Sequence, residues 1–286
     1  MKFVDPKTDI AFKKIFGNDA HKNILIEFLN EILELDAPIE DVTISNSYQA
    51  PRLKGLKETT LDIKATDKLK REFIVEMQVE KETAFVKRAV YYSSKAYSQQ
   101  LQKTEKYHLL KPVIFLGILD FTIFDHASVL SRHLILNAET GQHDLKDLEF
   151  NFIELPKFTK SETELETTAD KWIYFIQQAD NLDHVPNNAD TPALQEAYDI
   201  AAQHHWTQEE LDIYESQGFA IGKARNSFET ALLEGHTKGL AEGLAEGELQ
   251  TKLQIARNLL IAMNDTQIAD MTGLTIDAVA QLRNNA

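Results

Sequence analysis

Between Thr59 and Glu80 the segment TTLDIKATDKLKREFIVEMQVE alternates apolar and polar residues on both sides of a charged turn, DKLKR. Alternation at period two marks half-buried strands, and a short turn between two such runs makes an antiparallel hairpin. A turn centred on Leu69 pairs residues placed symmetrically about it, which sets Asp62 opposite Glu76, Thr60 opposite Gln78 and Lys64 opposite Ile74. Parity then sends Leu61, Ile63, Ala65, Phe73, Val75, Met77 and Val79 to a core. Thr60, Asp62, Lys64, Glu76, Gln78 and Glu80 share the other face.

Opposed carboxylates on neighbouring strands repel across about 5 Å between their Cβ atoms. Two readings answer this. In one, the face is solvated and Lys64, Lys68 and Arg71 neutralise the acids. In the other, a divalent cation such as magnesium sits between Asp62 and Glu76, with water and a substrate phosphate completing its oxygen shell. The apolar run FIVEMQV around Glu76 favours the cation, because an ionised group in a buried strand is costly unless paired or metal-bound.

The rest of the chain frames this hairpin. Residues 5–16 and the segment HKNILIEFLNEILEL read as amphipathic helices, stopped by Gly17-Asn18 and by Asp36-Ala37-Pro38. Asp9 and Glu27 on these helices are surface or capping residues on the simplest reading, and further ligands on the sharper one. IEDVTISNSYQAP is a first strand, and the basic RLKGLKE leads into the hairpin. After it, KETAFVKRAVYYSSKAYSQQLQK has helical periodicity. Arg88, Tyr92, Lys95 and Gln99 fall on one polar face, suited to a phosphodiester backbone, while Val86, Ala89, Val90, Tyr97 and Leu101 face the sheet. VIFLGIL reads as a fully buried strand, and ASVLSRHLILNA and LEFNFIEL as two more. This order predicts an α/β fold, a mixed sheet flanked by helices, followed by a helical C-terminal region.

Composition narrows the function. A net charge of -15 excludes a surface that binds nucleic acid everywhere, yet fourteen Lys/Arg stand against eight Asp/Glu from Arg52 to Lys111. The chain has no cysteine, which removes disulfides and thiolate metal sites and suits the cytoplasm. Its apolar runs are too short to span a bilayer, so no membrane role is expected. His204 and His205, adjacent beside Trp206, lack the i, i+4 spacing of zinc ligands.

From about residue 161 the sequence turns helical and acidic. Gly235, Gly239, Gly243 and Gly247 recur every fourth residue, either as a marginal helix or as a close helix–helix contact that makes a homo-oligomer through the C-terminal helices. The end, QIADMTGLTIDAVAQL, has helix-turn-helix spacing, with Thr275 as a cap of its second helix. Asp277 and Gln281 on that helix, with Arg283 its only cation, favour a protein-contacting or vestigial role over DNA reading. The domains read as 1–160, 161–250 and 251–286.

TDIAFKKIFG, LDIKATD, IVEMQVE, RAVYYSSKAYSQQL and PVIFLGILDF together resemble the recombination-promoting nuclease and transposase family of the PD-(D/E)XK superfamily. That resemblance implies a restriction-endonuclease-like fold over 1–160 and metal-dependent DNA cleavage connected with recombination or mobile DNA. It makes Asp62 and Glu76 ligands of Mg2+ or Mn2+ and Gln78 the third motif residue, where the superfamily usually has lysine. Lys64, on the same predicted face, is the candidate for the missing charge, and Arg88, Tyr92 and Lys95 for contacts to DNA. The competing class is a catalytically inactive DNA-binding or assembly protein of the same fold.

Overall fold

The structure, a computed structural model, describes residues 2–45, 48–49, 59–102 and 104–285. The basic segment RLKGLKE and Lys103 lie outside the described residues, so that part of the expected basic face does too. The chain divides into two compact units, Met1–Gly222 and Lys223–Ala286.

In the first unit α1 (Asp9–Phe16) and α2 (Lys22–Ile32) precede a mixed six-stranded sheet. Its strands are β1 (Val42–Ser45), β4 (Ile63–Asp67), β5 (Glu72–Gln78), β6 (Val113–Leu119), β7 (Leu130–Ile135) and β8 (Leu145–Glu154), in the order β1-β4-β5-β6-β8-β7. A separate ladder pairs β2 (Tyr48–Gln49) with β3 (Thr59–Thr60). Between β5 and β6 runs α3 (Phe85–Gln99), the crossover that a parallel pair requires. α4 (Thr168–Gln178), α5 (Pro192–Ala201) and the start of α6 (Gln208–Leu259) follow.

The hairpin has the register expected of a turn centred on Leu69, with Ile63 opposite Val75 and Lys64 opposite Ile74. Asp67 closes the turn: its backbone pairs with Arg71, its carboxylate binds the Arg71 guanidinium at 2.7 Å, and Lys70 takes a positive φ. The ladder ends one residue short of Asp62, where the chain bends. Two corrections follow. Thr60 pairs with Tyr48 instead of Gln78, and Leu61 is buried in the opposite cluster from Ile63.

Each face of the sheet has its own core. Ile63, Phe73, Val75, Leu116 and Ile118 pack against α1, α2, α4 and α5, whereas Ile74, Phe115, Leu119 and Phe152 pack under α3. α3 is turned from its expected orientation. Phe85, Ala89, Tyr92 and Ala96 face the sheet, while Val86 and Val90 are exposed. Gly117 explains the choice. It stands opposite Glu76, and a Cβ there would lie 3.0 Å from Phe152 and 3.2 Å from both Phe115 and Phe85, so glycine makes room for the Phe85 ring.

The first unit runs on past residue 160 to Gly222. Trp172 is buried with its ring centroid 5.9 Å from Phe16, 5.8 Å from Phe28 and 5.9 Å from Phe175, and Val4 N–H donates to Ala201 O at 2.9 Å. Residues after 160 therefore complete the core of the sheet domain. In the second unit α7 (Asp265–Thr272) and α8 (Ile276–Asn284) meet at Gly273, whose φ of 70° suits a residue without a side chain. Ile268, Ala269 and Val279 pack on Ala256, and Arg283 is spent on Asp265 and the carbonyls of Leu260 and Met263.

Candidate active site

At the carboxyl end of β5 the two acids meet through backbone. Met77 N–H donates to Asp62 Oδ2 at 2.8 Å, and Asp62 N–H donates to Glu76 Oε1 at 3.2 Å. The side chains thus continue the ladder where the strand pairing stops. Their remaining oxygens, Asp62 Oδ1 and Glu76 Oε2, accept no hydrogen bond among the described residues.

Burial makes this pair electrostatically costly. Glu76 is only 5 % exposed. Desolvation first, and then the charge of Asp62, push its carboxyl up to about 8. Asp62 is raised as well, chiefly by desolvation, against the Met77 N–H and the Lys13 charge, which lower it. The cations that sequence reasoning offered as neutralisers are engaged elsewhere. Lys64 binds Glu72 at 2.9 Å, Lys68 binds Glu40 at 3.1 Å and Arg71 binds Asp67. Lys64, expected to supply the site's charge, has its ammonium held by Glu72, further back along β5.

The positive charges that act on the pair come from outside the hairpin. Lys13 on α1 and Arg88 on α3 both favour the ionised carboxylates. Lys13 is itself paired with Asp9 at 2.6 Å, and Asp9 lines a cavity with Lys7, Asp62, Met77, Gln78 and Glu80. Asp9 therefore reaches the site, whereas Glu27 accepts from Trp172 Nε1 at 3.2 Å and Thr191 Oγ1 at 2.5 Å and belongs to the core. Lys13 was missed. Its only sequence signal is the i, i+4 pairing with Asp9, which does not say which way the helix faces.

Gln78 and Arg88 meet directly, the guanidinium donating to Gln78 Oε1 and to Glu82 Oε2. The same guanidinium lies over the rings of Phe85 at 5.0 Å and Tyr92 at 5.9 Å. Of the four residues expected on one DNA-facing helix surface, Lys95 and Gln99 are half-buried. Arg88 is directed to Gln78, and Tyr92 is buried beneath α3, its hydroxyl held above the usual range by burial and by the charge of Glu76.

The donor set fits a hard divalent cation. Two carboxylates of opposed segments have free oxygens, and their burial is not matched by an uncommitted cation among the described residues. No group of three or more His, Cys, Asp or Glu side chains gathers among the described residues, and Asp62 and Glu76 are the carboxylates that would hold the ion.

The family model described as PD-(D/E)XK nuclease family transposase matches residues 6–231. The chain belongs to this family. No curated protein and no solved structure matches it. PD-(D/E)XK nucleases generally use divalent metals, consistent with the carboxylate pair, and the mixed sheet with flanking helices is the fold of that superfamily. The match runs past residue 160 and through α4 and α5, the helices that finish the sheet's core. Among the described residues no helix is long and apolar enough to cross a membrane.

Proposed function

We propose that this PD-(D/E)XK family member is a magnesium- or manganese-dependent DNA endonuclease, acting in the cytoplasm on phosphodiester bonds in recombination or mobile-element DNA. The observation that carries the reading is the pair of half-buried Asp62 and buried Glu76, linked by the Asp62 N–H to Glu76 Oε1 and flanked by the Met77 N–H on Asp62 Oδ2, both carboxyls raised in pKa chiefly by desolvation. Asp62 and Glu76 would hold the cation. Bound there, a divalent ion lowers the pKa of water and offsets the charge that gathers on the phosphate oxygens during displacement. Gln78 lines the same cavity and donates to water or phosphate. Lys13 and Arg88 add field from two sides without touching the hairpin's own ion pairs. DNA approaches along the exposed side of α3, where Lys87 supplies charge and Tyr91 an exposed ring, with half-buried Lys95 one turn further on.

Asp62→Ala tests the assignment on supercoiled plasmid with Mg2+ or Mn2+. Cleavage is expected to fall by about three orders of magnitude, the rate equivalent of roughly 4 kcal/mol. A variant as fast as the parent would mean that the site is elsewhere. A parent that binds DNA with steep salt dependence yet cleaves with neither ion would instead be the inactive binding protein.

The helical second unit supports a homo-oligomer as part of this reading. Leu232, Leu233, Leu240 and Leu244 are exposed on α6, and a Cβ added at Gly235, Gly239, Gly243 or Gly247 would meet nothing. If two copies close on that surface, Gly239→Ala with Gly243→Ala shifts the protein toward monomer in sedimentation. A solitary helix would instead gain about 1 kcal/mol per substitution with no change of mass.

A further inference from the structure

A glutamine side chain ends in one acceptor and one donor of nearly equal size, so nothing in the residue decides which end it offers to a ligand. At position 78 a neighbour decides. Arg88 carries donors only, and the nitrogen that meets Gln78 can bond Oε1 and would repel the NH2 group. The guanidinium has little freedom to turn aside. Its other terminal nitrogen is bonded to Glu82, and Phe85 and Tyr92 lie against it. The NH2 group is thereby left as the free end of a side chain that lines the cavity with Asp62.

We infer that Arg88 is a positioning residue: by holding Gln78 Oε1 it fixes the Gln78 NH2 as a hydrogen-bond donor for a non-bridging phosphate oxygen beside Asp62 and Glu76. This inference rests on the reading that the cavity takes a phosphodiester. It gives the site a neutral donor of fixed direction where a lysine would need no fixing, since an ammonium donates in every rotation. Arg88 itself need not touch DNA.

The full-length chain with Arg88→Met, Gln78→Ala, Gln78→Lys and the corresponding doubles tests this by rate. Arg88→Met is expected to lower turnover about 10- to 100-fold with little change in KM, as for residues that orient a reacting group. In the Gln78→Ala background it should cost several-fold less, leaving only the loss of its field on Asp62 and Glu76, because its main effect passes through Gln78. The Gln78→Lys/Arg88→Met double should outrun Arg88→Met alone. Effects of Arg88→Met and Gln78→Ala that multiply, or a Gln78→Lys double that rescues nothing, would overturn the inference. A second readout needs no cleavage. In 15N-labelled protein the Gln78 side-chain amide signals, assigned by their loss in Gln78→Glu, should be dispersed and slow to exchange in the parent and collapse to free-amide values in Arg88→Met. Signals unmoved by Arg88→Met would sink it. A parent that cuts no DNA would refute the nuclease reading while this spectrum still decides the role of Arg88.

Discussion

Glu76→Gln is expected to slow cleavage about a thousandfold and, in metal-free buffer above pH 8, to make the protein more stable than its parent. Both effects come from one buried charge. The folded chain holds the Glu76 proton up to about pH 8, whereas an unfolded glutamate releases it near 4.5. Between those values the native state binds the extra proton, so parental stability is full below about pH 4.5 and falls as pH rises toward 8. The loss amounts to at most roughly 5 kcal/mol, at about 1.4 kcal/mol per pKa unit. Glutamine keeps the oxygen that accepts the Asp62 N–H and carries no charge, so this contribution to the pH dependence disappears. Added Mg2+ or Mn2+ should raise the parent's urea midpoint most at high pH, where the pair is ionised, and leave the variant's almost unchanged. Plasmid cleavage should fall by about three orders of magnitude. Equal urea midpoints for parent and variant at pH 8.5 would refute the cost assigned to this charge, and undiminished cleavage would remove Glu76 from the site.

That site was legible because two acids fourteen residues apart straddle a turn of fixed length. Period-two alternation about Leu69 sets the register from Ile63 to Thr66 without any knowledge of the third dimension. It fails at Asp62, where the chain bends and parity no longer holds, and so Leu61 changes sides. The face of α3 was not legible for a different reason. Val86 and Val90 form as good an apolar stripe as Phe85, Ala89, Tyr92 and Ala96 do. What chooses between them is the hollow at Gly117 on the neighbouring strand, a feature of the assembled sheet. The same limit hid Lys13 and misplaced Lys64. A lysine's sequence neighbours say little about which carboxylate captures it across 3 Å of folded structure, and Glu72 captured Lys64.

The fold also decides where the sheet domain ends. A chain cut after residue 160 keeps every site residue and should nevertheless fail to fold, while one cut after Gly222 should fold cooperatively. The composition shift near residue 161 suggests a boundary because Asp and Glu become frequent there, but most of these acids stand in the segments before and between α4 and α5, and the helices themselves carry only Asp170, Glu196 and Asp199. Their inner sides carry Trp172, Phe175, Ile176, Leu194 and Tyr198, all almost fully buried against α1, α2 and one another. Removing them takes Trp172 and Phe175 from Phe16 and Trp172 from Phe28, and leaves Glu27 without the donors from Trp172 and Thr191. Each buried side chain of this size contributes about 1.5–3 kcal/mol, and losing Trp172 alone would cost about 3–5 kcal/mol. Several such losses exceed the roughly 5–15 kcal/mol by which a domain is stable. The shorter fragment should therefore have no near-ultraviolet circular dichroism and no cooperative urea transition, and the longer one both. A cooperative transition in the shorter fragment would mean that α4 and α5 are an appendage. The α1 face that carries Asp9 and Lys13 to the carboxylates would then have to be held by α2 and the sheet alone.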